Sequence, residues 1–204
     1  MRGKFITIEG GEGVGKTTNM EFITKYLVSK SINHIVTREP GGTDLGELLR
    51  EIMLDPKQSN ICSDSELLLM FAARAQHLQQ KIIPALEKGC WVVCDRFTDA
   101  TYAYQGGGRG IDFSRIAILE EWVQGHLRPD LTILFDMPVE LGMARAVSRS
   151  DPDRFEQEKL DFFERVRTSY RNIALKNTSQ YKIIDASKNL QDVQSQILIV
   201  LDSF

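Results

Sequence analysis

Eight consecutive residues, Gly10-Gly11-Glu12-Gly13-Val14-Gly15-Lys16-Thr17, fit the pattern G-x-x-x-x-G-K-[ST] at every fixed position. Glycines at this spacing let successive backbone N–H groups converge on one anion, and a helix that begins at the lysine adds the partial positive charge of its N-terminus. Lys16 then reaches the outer phosphates, the Thr17 hydroxyl can ligate Mg²⁺, and Thr18 continues the first turn. The chemistry implied is the binding of a nucleoside triphosphate with its metal, taken here as ATP with Mg²⁺. The pattern alone does not say where the phosphate goes.

Two further clusters bear on that question. The apolar run Trp91-Val92-Val93-Cys94 ends in Asp95-Arg96. A carboxylate there suits the metal, and an arginine beside it points to a second anion, an acceptor phosphate. Arg38, in Thr37-Arg38-Glu39-Pro40-Gly41-Gly42, ends another such run, so Arg38 and Arg96 form a candidate clamp for a monophosphate. The alternative for Arg38 is an ion pair with a surface acid. Phe71 and Arg74 lie three apart on one helical face and could stack on a base and bond its carbonyl edge; a core phenylalanine beside a surface arginine would read the same. Neither the D-x-x-G nor the N-K-x-D signature of a GTPase occurs.

The elements that must hold these residues follow from the apolar pattern. Runs at Lys4 to Ile8, His34 to Thr37, Trp91 to Cys94, Leu131 to Phe135 and Tyr181 to Ile184 read as strands, with amphipathic stretches such as Met20 to Val28, Leu67 to Leu86 and Ile116 to Gln124 between them. That alternation predicts an α/β fold of three layers, a five-stranded parallel sheet flanked by helices, with right-handed crossovers. The 204 residues suit one domain spanning 1–204. Gln105-Gly106-Gly107-Gly108-Arg109-Gly110 reads as a flexible or tightly turning loop, and the charged stretch Arg145 to Glu158 as an exposed excursion, a lid over about 142–156.

Composition excludes several classes. With 25 basic and 28 acidic residues the formal charge is −3, so no global positive field suggests nucleic acid or an anionic membrane as a partner. The longest apolar stretch, Leu67 to Ala73, falls far short of the roughly 20 residues that span a bilayer. Cys62, Cys90 and Cys94 lack metal or redox spacing and read as buried, reduced thiols of a cytoplasmic protein.

Taken together the motifs resemble bacterial thymidylate kinase (dTMP kinase), of the P-loop nucleoside monophosphate kinase family, over essentially the whole chain. Beyond the segments already quoted, Ala103-Tyr104-Gln105-Gly106-Gly107-Gly108-Arg109-Gly110, Arg128-Pro129-Asp130-Leu131-Thr132 and Asp153-Arg154-Phe155-Glu156 carry the likeness. The resemblance implies ATP-Mg²⁺ as donor, dTMP as acceptor and a homodimer. It implies that Phe71 stacks on thymine, that Arg74 bonds its carbonyl, that Arg38 and Arg96 hold the acceptor phosphate, and that Asp95 serves the metal. Thr101 and Gln105 would line the thymine and sugar pocket, Tyr104 would crowd out a 2′-hydroxyl, and Glu12 would reach the 3′-hydroxyl. The P-loop lacks an arginine, so the implied catalytic arginine is Arg149 in the lid, beside Lys16, Asp95 and Arg96. Ala100 and Phe97 depart from the residues usual in relatives. A kinase for a different nucleoside or nucleotide, or an ATP-binding regulator without turnover, remains the alternative at the level of sequence.

Overall fold

The structure, a computed structural model, describes residues 2–58, 60–147 and 153–204. Five strands, β1 (Phe5–Gly10), β2 (His34–Arg38), β3 (Trp91–Asp95), β4 (Leu131–Asp136) and β5 (Tyr181–Asp185), form one sheet in the order β2-β3-β1-β4-β5, with every pair parallel. All five expected strands are present. Several run a residue or two beyond the apolar pattern, because the ladder continues through polar positions: Gly10 still pairs with Phe135, and Arg38 with Asp95.

The period of two sorts the side chains. Ile6, Ile8, Val93, Leu131, Ile133 and Phe135 face α1 (Lys16–Ser29) and α9 (Leu190–Asp202), meeting Ile23, Leu27, Val193 and Ile197 in one core. On the opposite face Phe5, Val92 and Cys94 pack on Leu78, Ile82 and Leu86, while Leu134 packs with Phe162, Phe163 and Val166 of α8 (Leu160–Lys176). Glu9 also belongs to this second face by register, an acid inside a buried strand. The remaining helices are α2 (Asp44–Leu54), α3 (Ser63–His77), α4 (Ile83–Glu87), α5 (Thr98–Thr101), α6 (Phe113–Gln124) and α7 (Val139–Val147). The stretch expected as one helix over 67–86 starts earlier and is split by a π-helical turn, Leu78–Ile82, ahead of Pro84, whose missing N–H cannot continue the α ladder.

Three expectations are corrected. The glycine run is not a flexible loop: Tyr102–Gly108 is a π-helical turn with Gly106 and Gly108 buried. A Cβ on Gly106 would overlap the Phe113 ring, and one on Gly107 or Gly108 would overlap Ser169 or Phe162, so the glycines let the turn pack closely under α6 and α8. The return of the charged stretch is not exposed, since Arg154 and Phe155 are both buried. Cys62 is exposed at the start of α3, and only Cys90 and Cys94 are buried.

One backbone contact joins α7 to the phosphate loop. A Cβ on Gly13 would overlap the carbonyl of Gly142, and a Cβ on Gly142 would overlap the carbonyl oxygen of Glu12. Neither neighbour is a side chain that can swing away. Gly142→Ala should therefore destabilise by about 1–3 kcal/mol, even though alanine is the better helix former by about 1 kcal/mol. Urea unfolding measures the difference; a variant as stable as the parent would mean that α7 shifts away freely.

Candidate active site

The first helix turn is built as its sequence demands. Gly10, Gly13 and Gly15 have φ of 140°, 66° and 87°, conformations that suit glycine and curl the backbone between β1 and α1. Lys16 Nζ lies back across the loop, donating to the carbonyls of Gly11 at 2.8 Å and Gly10 at 3.2 Å. Burial lowers the Lys16 pKa, and the positive charge of Arg96 lowers it further against the pull of Glu12, Asp95 and Glu9.

Arg96, just past β3, has φ of +65°, a left-handed conformation rare for a residue with a side chain. Its N–H donates to Ile8 across the strand ends at 2.9 Å. The guanidinium donates to the Gly10 carbonyl at 2.9 Å, to the Tyr170 hydroxyl at 3.3 Å and to Glu12 Oε1 at 2.6 Å, and its Cζ sits 4.8 Å from the Tyr104 ring centre. Tyr104 donates to the same Glu12 oxygen at 2.6 Å. Burial opposes the charge on Glu12, but Arg96, Lys16 and these hydrogen bonds overcome it and hold the carboxyl at about 2.

These groups line a cavity of about 210 Å³ that also reaches Arg50, Met70, Arg74, Phe97, Ala100, Thr101, Gln105 and Asp153. Arg74 is fixed inside it. Nε donates to Glu39 Oε2 at 2.7 Å, Nη2 to Thr101 Oγ1 at 3.0 Å, and Nη1 is buried with no partner. Glu39 in turn shares a 3.0 Å hydrogen bond with His77. Asp95 lines the same space, and its Oδ1 is likewise buried and unpartnered. Two orphaned polar atoms in one cavity, one donor and one acceptor, mark where a ligand and its metal would complete the hydrogen bonding.

Most of the residues singled out by sequence meet here: Glu12 through Thr17, Arg74, Asp95, Arg96, Thr101, Tyr104 and Gln105. Two do not. Arg38 is an exposed partner of Glu47 at 2.7 Å and lines a neighbouring groove, so it does not join Arg96; the surface-pair alternative describes it. Phe71 lies behind the wall among Leu67, Ile111 and Ile116, its ring 4.8 Å from the Arg74 guanidinium carbon, and Met70 faces the cavity instead. Thr18 is exposed on α1. Arg149 lies outside the described residues.

Arg50, Glu9 and Tyr170 escaped the sequence reading. Arg50 is the one basic residue of α2; it donates to the Pro40 carbonyl at 3.0 Å, lines the cavity and lies within electrostatic reach of Arg96. Glu9 was visible as a lone acid in an apolar strand. It accepts from the Phe97 N–H at 2.7 Å and the Tyr170 hydroxyl at 2.9 Å. Burial, reinforced by Asp99, raises its pKa from 4.5 to about 8 against Arg96 and those two donors.

A family model described as thymidylate kinase matches residues 8–197. A thymidylate kinase of Ectopseudomonas mendocina is 57% identical over 203 residues, covering 100% of this chain and 97% of that protein. One from Ruthia magnifica is 56% identical over 200 residues, covering 98% of each. The crystal structure of thymidylate kinase from Ehrlichia chaffeensis superposes with a TM-score of 0.79 at 34% identity, covering 98% of this chain and 99% of that one.

The raised pKa of Glu9 has a definite consequence for stability. The folded chain holds a proton that the unfolded chain releases near 4.5, so the contribution is complete below that pH and is lost as pH rises through about 8. Glu9→Gln cannot titrate. The stability of the parent relative to Glu9→Gln should therefore fall between pH 5 and 8.5 in urea unfolding, and a difference constant across that window would refute the assignment.

Proposed function

The chain belongs to the thymidylate kinase family and phosphorylates dTMP to dTDP, and from that premise we propose that its donor is ATP with Mg²⁺ and that both substrates meet in the 210 Å³ cavity. One observation carries the reading: groups suited to phosphate, Lys16 and Arg96, and groups suited to a pyrimidine edge, Arg74 and Gln105, line the same cavity.

On this reading the P-loop from Gly10 to Thr18 cradles the donor phosphates. Asp95, with its unpartnered buried oxygen, and the Thr17 hydroxyl fit a hard cation that keeps most of its ligands as water and phosphate. Mg²⁺ bound there supplies positive charge to the phosphate oxygens. The acceptor is a monoester whose second pKa is about 6, so its attacking oxygen is already largely ionised and needs no general base. What remains is repulsion between two polyanions and the charge on the phosphoryl in flight, which Lys16 and Arg96 oppose. Arg50, on the wall that Arg38 does not reach, joins Arg96 on the acceptor phosphate. Arg74 offers its free Nη1 to the base carbonyl, with Thr101 and Gln105 beside it. Tyr104, held by Glu12, stands where a 2′-hydroxyl would come, and Glu12 is placed for the 3′-hydroxyl. Arg149 in the lid is the proposed catalytic arginine, on the resemblance alone.

A homodimer is the assembly we propose. The neighbouring helices α2, α3 and α6 leave Leu48, Ile52, Leu68, Ile118 and Trp122 exposed, Trp122 at 81%. That is the aromatic and aliphatic character of a subunit interface. Among the described residues no helix is long and apolar enough to cross a membrane. The free thiols accord with the reducing cytoplasm.

ADP formation should be measured against dTMP, dUMP, UMP, dCMP, AMP, GMP and thymidine. We expect dTMP first, with dUMP slower by the roughly 10- to 200-fold that one methyl is worth, UMP refused, and Lys16→Ala inactive. Arg149→Ala should lose kcat by about 10³-fold or more while the KM for dTMP changes little; an affinity loss with kcat intact would remove Arg149 from the reaction. Sedimentation should give a dimer for the parent and a monomer for Trp122→Glu, and a dimer in both would place the interface elsewhere.

A further inference from the structure

Glu66, on α3, has no part in the reaction as described, yet it is almost fully buried, at 1% exposure. Its carboxylate receives three side chains from two segments, Gln105 and Arg109 from the glycine-rich turn and Arg154 from far along the chain. Gln105 Nε2 donates to Oε1 at 2.8 Å. Arg154 Nη2 donates to Oε2 at 2.6 Å, and Arg109 reaches both oxygens at 3.3 Å. The surroundings leave little freedom. Arg154 is also held by the Met53 carbonyl at 2.7 Å, and Arg109 by Glu158 and by the Phe162 ring 4.9 Å away.

The partner that matters is the uncharged one. An amide side chain has a donor end and an acceptor end, and a carboxylate lying between two guanidinium groups can only accept. Glu66 therefore obliges Gln105 to turn its NH₂ away from the substrate side, which leaves Oε1 as the polar atom of its other end. Gln105 lines the cavity. Arg74 lines the same cavity, and its Nη1 is a buried donor with no partner. A fixed donor and a fixed acceptor lining one cavity match the imide edge of a pyrimidine, a carbonyl next to an N–H. It is mismatched to an amino-pyrimidine, whose exocyclic NH₂ would face the guanidinium and whose ring nitrogen would face the amide oxygen.

We propose that Glu66 is a positioning residue that sets base specificity: by orienting the Gln105 amide it makes the acceptor site select a keto pyrimidine, such as thymine or uracil, over cytosine. The inference rests on the functional reading above, because it needs the base to lie between Arg74 and Gln105. It also accounts for why a carboxylate is buried here rather than a second amide, whose ambidextrous ends would let Gln105 rotate.

The test is the ratio of kcat/KM for dTMP to that for dCMP, with KM and kcat separated and thermal unfolding recorded for each variant. Glu66→Gln should lower the ratio at least tenfold, chiefly through the KM for dTMP, and the double variant Glu66→Gln with Gln105→Glu, which restores an obligate acceptor at position 105, should recover part of it. A merely structural role would lower activity on both nucleotides together and leave the ratio unmoved, and that result would overturn the proposal. Gln105→Met leaves Glu66 its two arginines and provides a second route should Glu66→Gln fail to fold: a retained preference for dTMP would equally overturn the proposal, and a collapsed preference would support it. A parent protein that turns over dCMP as readily as dTMP would remove the functional reading itself, whereas parental preference with an unchanged ratio in Glu66→Gln removes only the role of Glu66.

Discussion

The guanidinium of Arg96 is the joint on which the site depends. It touches the end of β1 through Gly10, the phosphate loop through Glu12, α8 through Tyr170 and the glycine-rich turn through the Tyr104 ring. Three stretches of chain, at residues 10–12, 104 and 170, are thus registered against one rigid, planar cation. Such a contact is expensive to assemble, because burying a charge is unfavourable unless partners surround it. Glu12 supplies the compensating charge and is itself held near a pKa of 2. The left-handed backbone at Arg96 belongs to the same account: strain of order 1–3 kcal/mol is tolerated because the surrounding contacts allow the chain no other course.

Charge is balanced on both sides of the cavity in the same manner, by one acid paired with each cation. Glu39 takes the Nε of Arg74, leaving Nη1 uncommitted, and Glu12 takes the Nη2 of Arg96. Glu9 lies deeper and fully buried, and that burial raises its pKa, which disfavours a further negative charge beside the positive field that two polyanions require.

Much of this was legible in the sequence, and the parts that were not share a cause. The five strands read correctly because parallel strands buried on both faces are short apolar runs, and the glycine-rich turn from β1 into α1 read correctly because its glycines act through local backbone geometry. What failed were judgements about which way a side chain turns. Arg38 and Arg50 are both arginines near the same crevice; only the amphipathic turn of α2, and Glu47 waiting beside Arg38, decide that Arg50 faces inward. Phe71 and Met70 are adjacent, and a rotation of about 100° along α3 exchanges wall for core. The glycines at 106–108 looked like freedom and are closeness, a distinction set by α6 and α8 from elsewhere in the chain. Arg154 looked solvated because its neighbours are charged, but its partner, Glu66, lies 88 residues away.

The described residues that flank positions 148–152 are each tied to a part of the site. On one side α7 rests backbone to backbone on the phosphate loop through Gly142 and Gly13. On the other, Asp153 and Phe155 line the cavity, and Arg154 between them is held by Glu66 and the Met53 carbonyl. Neither contact is a side chain resting on the surface: the first is backbone against backbone and the second a buried ion pair, so neither flank can shift without disturbing the phosphate loop or Glu66.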